Sequence, residues 1–336
     1  MHKKMKKIGT LIALSIAALA GISCLPSLKG HENPYDPNAI FTAGTTWHNA
    51  VASAPFACRY SHGCAVFKNK LWVIGGVTQN PYGWTNDVWY SGNGTNWVQL
   101  KVNPPFHARM DFGCTVFNDK LWVVCGNAEG QYSNDVWSSS DGDTWVNMAP
   151  TSPPPRRMRF GNIAVFKNRM WIVGGLDIVE QTNDVWSSAD GITWTRQTAN
   201  GGFQARYDHT VSVFDDRLWI VGGFNGTTPR NDIWYSSNGI NWTQITAPEF
   251  GQHCWHTAPV HNNRIMIIGG SYNGTGPTND VWYTSGGSTW TVATAGAQFP
   301  PRLEHTAVSF NGSVWLIGGQ VSDGGTVYTN DIWYSE

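Results

Sequence analysis

The sequence has 336 residues, of which 13% are charged and 13% aromatic, and it contains 19 Trp and 37 Gly. This balance excludes an intrinsically disordered chain and is typical of many short strands joined by tight turns. The formal charge of −1 at pH 7 excludes the strongly basic surface that nucleic acid requires, so we expect no nucleic-acid partner.

Residues 1–23 have the composition of a bacterial-type export signal peptide. An apolar run at 8–20 follows four lysines, Lys3, Lys4, Lys6 and Lys7. Two cleavage sites remain open, an Ala-x-Ala site at 18–20 and a lipobox-like "GISC" at 21–24. We favour the second, in which Cys24 is lipidated, because a Cys so soon after the apolar run would otherwise be a coincidence.

Either cleavage predicts an exported protein, periplasmic, secreted or anchored in the cell envelope as a lipoprotein. Removal of residues 1–23 takes away four basic and no acidic residues, which leaves 18 basic and 23 acidic residues and a formal charge of −5. No second apolar run approaches the roughly 20 residues of a membrane helix. We therefore expect residues 24–43 to form a tether and Cys24 to be the sole membrane attachment.

Two short phrases recur about every 50 residues from residue 44 to the end. The first is "LWVIGG" at 71–76, with relatives at 121–126, 170–175, 218–223, 265–270 and 314–319. The second is Asn-Asp-Val/Ile-Trp, whose aspartates are Asp87, Asp135, Asp184, Asp232, Asp280 and Asp331. A repeat of this length that contains several short strands predicts an all-β propeller with six blades.

Each repeat divides into four strands, a to d. In the first repeat, strand a lies in 59–67, strand b at 71–76 and strand c at 87–91, and strand d begins at Trp97. The a–b links contain Asn or Asp, as in "FKNK" at 67–70, and the c–d links carry Asn-Gly, Asp-Gly or Gly-Gly, as in Asp141-Gly142. Both compositions are typical of tight β-hairpins, because these residues tolerate positive φ.

The last repeat has strands a to c but no following strand d. The segment "GTTWHNAV" at 44–51 resembles "GDTWVNMA" at 142–149, which belongs to a c–d turn and strand d. We therefore predict that the strand around Trp47 completes the sixth blade and closes the ring within a domain at 44–336. Closure removes the exposed sheet edges that would otherwise promote association, and we expect a monomer.

The chain resembles the Kelch-repeat propellers over residues 45 to 336. The resemblance rests on the strand that ends in Gly-Gly, the spaced aromatic residues and an Arg before strand a. Two repeats depart from the pattern. The third carries an extra residue, so that either Arg156 or Arg157 stands for the repeated Arg, and the fifth has His253 there. The resemblance implies that partners bind on the face formed by the b–c and d–a loops.

Residues present in every repeat most simply serve the fold. This reasoning assigns 17 Trp to packing between blades and the repeated Arg and Asp to pairs that hold loops in place. The recurrent His62, His209, His256 and His305 would have to converge from different blades to bind a metal, so we expect none. Of the five Cys after Cys24, we expect buried thiols, with a disulfide left open.

The exceptions to the repeat are the candidate binding residues. Trp84 lies in the first b–c loop and Trp255 opens strand a of the fifth repeat, outside the repeated Trp positions. Trp255 also occupies the second position after the repeated Arg, where the charge varies near the predicted channel mouth. The residues at that position are Ser61, Asp111, Arg159, Asp208, Trp255 and Glu304. They predict either a polar binding pocket or a water-filled funnel.

Two functions fit these residues. The first is a non-catalytic module of the cell envelope that recognises a protein or glycan with Trp84 and Trp255 as anchors. The second, by resemblance to Kelch-type sugar-acid epimerases, is an enzyme in which Glu304 or Asp208 acts as general acid or base and Arg302 or Arg206 holds a carboxylate. We favour the first, with no catalytic residue, cofactor or metal, because no nucleophile, phosphate-loop or metal motif is recognisable.

Overall fold

The computed structural model describes residues 42–101, 103–245, 250–322 and 326–336. The export signal at 1–23, Cys24 and the tether up to residue 41 lie outside the described residues. Within the described part of the chain, no helix is long and apolar enough to cross a membrane. All regular elements in these described ranges are β-strands, and the predicted all-β propeller is confirmed.

Strands a to d of each blade are antiparallel neighbours. Blade one contains Gly63–Phe67, Lys70–Gln79, Tyr82–Ser91 and Trp97–Lys101. Blade two contains Gly113–Phe117, Lys120–Val124, Val136–Ser139 and Trp145–Asn147. Blade three contains Ala164–Phe166, Arg169–Leu176, Gln181–Ser188 and Thr195–Thr198.

The other three blades repeat the arrangement. Blade four contains Thr210–Phe214, Arg217–Val221, Ile233–Ser236 and Thr243–Ile245. Blade five contains Val260–His261, Arg264–Tyr272, Pro277–Thr284 and Thr291–Thr294. Blade six contains Thr306–Phe310, Ser313–Ser322, Thr326–Ser335 and, from the N-terminal side, His48–Val51.

Short strands lie before strand a, or between strands b and c, in several blades. They are Arg59–Tyr60, Arg109–Met110, Asn127–Ala128, Gln131–Tyr132, His253–Cys254 and Arg302–Leu303. Those that precede strand a pair with the far end of strand b or its continuation, as Arg59 does with Thr78. Strand a is therefore interrupted at one point, which becomes important at the candidate site.

The hydrophobic core lies between the blades. Strand b is apolar on both faces, so Leu71 and Val73 pack toward blade six while Trp72 and Ile74 pack toward blade two. This follows from the two-residue period of a strand that is covered on both sides. Six such clusters occur among the described residues, one for each pair of neighbouring blades, including blade six with blade one.

The c–d turns join neighbouring blades as well as strands. Gly142 has φ +85°, and a Cβ at this position would overlap the ring of Trp72 from the preceding blade. Gly94, Gly191, Gly239 and Gly287 meet the strand-b Trp of their preceding blades in the same way. These glycines are needed for the turn and for the blade interface, which explains why five repeats combine a Trp in strand b with a Gly in the c–d turn of the next blade; in the fifth repeat Met266 replaces the Trp and meets Gly44.

The repeated Arg and Asp form buried bidentate pairs, as predicted. Arg59 is completely buried, and its guanidinium donates to both Asp87 oxygens at 2.7 and 2.9 Å. It also donates to the carbonyls of Gly75 and Ala57. Blade three resolves the choice between Arg156 and Arg157, because Arg157 is the buried partner of Asp184. In blade five His253 Nε2 faces Asp280 at 3.3 Å.

The five described cysteines are free thiols. Cys64, Cys114, Cys125 and Cys254 are buried, and Cys58 is half-buried. Burial raises the pKa of the Cys64 thiol to about 12, so the thiol stays protonated at neutral pH. The prediction of buried thiols is confirmed for these four residues.

The N-terminal strand completes blade six, as predicted. His48–Val51 pairs antiparallel with Thr326–Ser335. Trp47 is 2% exposed, and its ring packs edge-on against Phe299 at 5.0 Å, as Trp97 packs against Phe56 in blade one. The ring is thus closed by residues from the two ends of the domain.

Replacing Trp47 by Ala should lower the free energy of unfolding by about 3–5 kcal/mol, because it removes a buried aromatic side chain at the closure. Equilibrium urea unfolding measures the change. Trp84→Ala is the matched control, since Trp84 is 37% exposed and its loss should cost under about 0.5 kcal/mol. Equal losses in the two variants would contradict closure through Trp47.

Candidate functional site

The interruption in strand a places one residue of each blade around a common axis. These six residues have φ between +50° and +56°, the left-handed region that L-residues disfavour. Each donates its backbone N–H to the carbonyl of the equivalent residue in the preceding blade, at 3.0–3.2 Å. The closed chain of hydrogen bonds, called the mouth ring below, consists of Ser61, Asp111, Arg159, Asp208, Trp255 and Glu304.

The mouth ring borders a cavity of about 270 Å³ along the axis of the propeller. Below the ring, the cavity is lined by Thr210 and Thr306, the first residues of strand a in blades four and six, and by the equivalent Thr257 of blade five, which precedes strand a. All six positions that the sequence assigned to the channel mouth therefore lie at one cavity. The volume is several times the ~30 Å³ that a water molecule occupies in the liquid.

Arg159 joins three carboxyl groups from three other blades. Its Nε lies 3.1 Å from Asp111 Oδ2, its Nη1 lies 3.0 Å from Asp208 Oδ2, and its Nη2 lies 3.7 Å from Glu304 Oε1. Burial opposes the charge of the guanidinium, but the three carboxyl groups outweigh it and raise the pKa of Arg159 above its usual range. Arg159 therefore remains protonated and bridges blades two, four and six.

One guanidinium cannot neutralise three buried carboxyl groups. Burial raises the pKa of Asp208 to about 7, with Asp111 adding to the rise and Arg159 opposing it. Burial, followed by repulsion from Asp111, raises the pKa of Glu304 to about 8. The mouth ring thus contains two acids that change charge near neutral pH.

The four recurrent histidines lie just inside the mouth and join neighbouring blades. His62, His256 and His305 pair through Nε2 with the hydroxyls of Thr306, Thr210 and Thr257 at 2.8–3.2 Å. His209 donates through Nε2 to the carbonyl of Val173 at 2.9 Å. Burial lowers the pKa of His62, His209 and His305 to about 3, so these rings are neutral at pH 7. Among the described residues, no group of three or more His, Cys, Asp or Glu could hold a metal ion.

Aromatic side chains surround the mouth at two places that the sequence reasoning missed. Trp255 stacks on Phe224 at 6.1 Å between ring centres, and Phe224 packs edge-on against Tyr207. In the neighbouring sector, Tyr60 of blade one lies 4.4 Å from Tyr328 of blade six. The signals were present, because Tyr60 and Tyr207 each follow the repeated Arg and Phe224 follows a Gly-Gly pair.

Trp84 lies outside the cavity. It belongs to the b–c extension of blade one, where it pairs with Val77, and it is 37% exposed. The residues that line the cavity include Trp255 but not Trp84. The structure therefore assigns the two predicted anchors to different surroundings, one in the ring and one on a surface loop.

Arg206 and Arg302 do not reach the mouth. Both are completely buried, and each is engaged in a bidentate pair, Arg206 with Asp232 and Arg302 with Asp331, all four distances being 2.7 or 2.8 Å. Neither residue is among those that line the cavity. The sequence reasoning expected them to hold a substrate carboxylate beside Glu304 or Asp208, whereas the structure places both guanidinium groups in ion pairs away from the cavity.

Sequence comparison agrees with the geometry. The family model described as the KLHDC2/KLHL20/DRC7 Kelch-repeats domain matches residues 38–175 and again residues 143–319. Together the two matches span most of the chain. No curated protein matches the sequence.

The raised pKa of Asp208 predicts a specific pH dependence of stability. The folded state holds a proton on Asp208 up to about pH 7, whereas the unfolded state loses it near pH 3.9. The contribution of Asp208 to the free energy of unfolding is therefore fully present below about pH 4 and is lost as the pH rises to about 7. The free energy of unfolding of Asp208→Asn, taken relative to that of wild type, should therefore rise by on the order of 2 kcal/mol between pH 5 and pH 8.

Urea unfolding of both proteins at the two pH values measures this gain. Comparing the variant with wild type at each pH cancels the contribution of the buried histidines, which both proteins contain. Asp119→Asn is the control, because Asp119 is exposed and has a similar φ of +55°. A difference between Asp208→Asn and wild type that is the same at pH 5 and pH 8 would contradict the assignment.

Proposed function

The chain belongs to the Kelch-repeats domain family, and from this premise we propose that it is a protein-binding module of the cell envelope that uses the b–c loop face. Kelch domains generally mediate protein–protein interaction. The mouth ring opens on the same face, because it lies where each strand a begins.

The distribution of exposed apolar side chains carries this proposal. Ten large apolar residues are exposed in the described part of the chain, and six of them lie in the b–c turns or at the strand ends next to them: Tyr82, Trp84, Ile178, Val179, Tyr272 and Val327. Val179 is 82% exposed, and Tyr82 and Trp84 are next-but-one neighbours on one strand. Apolar side chains concentrated on one face mark an interaction surface, and Tyr and Trp contribute the most binding energy at such surfaces.

The epimerase alternative has less support. Glu304 and Asp208 share the cavity, but the arginines that would hold a substrate carboxylate are buried in structural pairs. Arg159, the arginine that does line the cavity, is already shared by three carboxyl groups. The arrangement favours binding over catalysis.

We also propose that the protein is exported and anchored through a lipid on Cys24. The support is the order of lysines, apolar run and "GISC" in residues 3–24.

The loop face can be tested by cross-linking the full chain in extracts of its source organism and quantifying captured proteins by mass spectrometry. The double variant Tyr82→Ser/Trp84→Ala should capture at least about tenfold less of the specific partner than wild type, because it removes two aromatic contacts. Ile240→Ser is the matched control, since Ile240 is 43% exposed in a c–d turn at the opposite face. Equal capture by all three proteins, or loss with Ile240→Ser alone, would refute the proposed face.

The anchor can be tested separately. Cys24→Ala should abolish incorporation of a labelled fatty acid and move the protein from the membrane fraction to the soluble fraction. Wild type that carries no label and begins at residue 21 would show that the Ala-x-Ala site is used instead.

A further inference from the structure

The mouth ring holds an excess of acceptors over donors. Arg159 is the sole Lys or Arg among the described residues that line the cavity, and it faces Asp111, Asp208 and Glu304. The side chains of these three acids are 7–11% exposed. Buried carboxylates are stable only when positive charge and hydrogen bonds compensate them, and one guanidinium compensates one of three.

Asp111 shows the deficit most clearly. Its side chain is 8% exposed, it lines the cavity, and its buried Oδ2 accepts no hydrogen bond from the described residues. Its contact with Arg159 Nε at 3.1 Å is an ion pair without hydrogen-bond geometry. Asp87, by contrast, accepts hydrogen bonds from Arg59, Thr85 and Trp89. An ionised carboxylate offers about four acceptor sites, so Asp111 has unused capacity at the cavity.

The ring also has room for a further side chain. In ring order Ser61 stands between Glu304 and Asp111, and it is the shortest of the six residues. Arg159 follows Asp111 in ring order and faces Glu304 across the ring, and its guanidinium lies 3.1 Å from Asp111 and 3.7 Å from Glu304. The sector over Ser61 is thus bordered by two carboxyl groups that share the guanidinium of Arg159, and Ser61 itself contributes only a short side chain.

The chemistry of this sector selects a cation with an apolar stem. A carboxylate that approached Arg159 would meet three carboxyl groups of like charge. A metal ion would have to displace Arg159 from its position between the acids. The aromatic pair of Trp255 and Phe224 beside the mouth suits the aliphatic part or the charged plane of a basic side chain.

We propose that the bound protein inserts one basic side chain, arginine or lysine, into the mouth ring between Asp111 and Glu304. This inference rests on the proposed function, since the basic side chain belongs to the partner. The partner would complete the charge balance that Arg159 begins, and the surrounding b–c loops would cover the contact.

The site can be probed without the partner. N-acetyl-L-argininamide, titrated calorimetrically into the full chain at pH 8, should bind at least tenfold more tightly than the uncharged N-acetyl-L-citrullinamide. Binding should weaken at least tenfold at pH 5.5, because Asp208 and Glu304 take up protons beside Asp111 and Arg159. Equal binding of the two amides, or tighter binding of N-acetyl-L-aspartate amide, would overturn the proposal.

Two variants test the assigned residues. Asp111→Asn should weaken argininamide binding at least tenfold, whereas Asp119→Asn should leave it unchanged; Asn tolerates the positive φ at both positions. Ser61→Lys should place a basic side chain in the sector, raise the midpoint of urea unfolding at pH 8 and abolish argininamide binding. Ser61→Gln, similar in size but uncharged, should not raise the midpoint. An unchanged midpoint with Ser61→Lys would contradict the open acidic sector.

The outcomes separate this inference from the proposed function. The loop variant Tyr82→Ser/Trp84→Ala should still bind argininamide, because the small probe contacts only the mouth. If that variant loses its partner while wild type fails to bind argininamide, the loop face stands and the basic insertion is wrong. If argininamide binds as expected but the loop variant captures as much partner as wild type, the mouth site stands and the loop face is wrong.

Discussion

The hydrogen-bonded ring at the channel mouth is the constraint on which the rest of this structure depends. Each of its six residues donates an N–H to the preceding blade and accepts one from the next, so the inner ends of all blades are fixed at one spacing. A left-handed residue at this point interrupts strand a. The two segments of strand a pair with the near and far parts of strand b or with the continuation of strand b. This pairing positions the apolar faces that fill the space between blades.

The protein uses the same kind of ion pair in two opposite ways. Between Arg59 and Asp87 the carboxylate is saturated by donors, and although burial disfavours its charge, these bonds hold the pKa of Asp87 below its usual range. At the mouth, three acids share one guanidinium, and the pKa values of Asp208 and Glu304 rise instead. The first arrangement stabilises the fold, whereas the second leaves the site able to respond to protons or to another cation.

The repeat made much of the fold predictable from the sequence. Residues that recur in every unit could be assigned to packing, and the match of Trp47 to the strand-d tryptophans identified the closing strand. The mouth ring could be predicted because its residues occupy a fixed position after the repeated Arg. Blade three remained ambiguous between Arg156 and Arg157, since one extra residue shifts the count and burial alone distinguishes the two.

Contacts between blades were beyond this reasoning. The approach of Arg159 to Glu304 across the ring, and of Tyr60 to Tyr328, joins residues about 145 and 268 positions apart whose side-chain directions no local pattern determines. The placement of Arg206 and Arg302 away from the cavity has the same origin. Their recurrence was visible, but the pairing of each guanidinium with a buried Asp depends on three-dimensional geometry.

The ring also explains how a binding site can vary on a constant scaffold. Its backbone is held by hydrogen bonds that every residue type except proline can make, and its side chains lie against the cavity and not in the cores between blades. Ser, Asp, Arg, Trp and Glu all adopt the left-handed conformation here, at a cost of roughly 1–2 kcal/mol each that closure of the ring must offset. Because these side chains lie at the cavity and outside the cores between blades, charge and shape at the mouth can change without repacking a blade, and recognition is separated from folding.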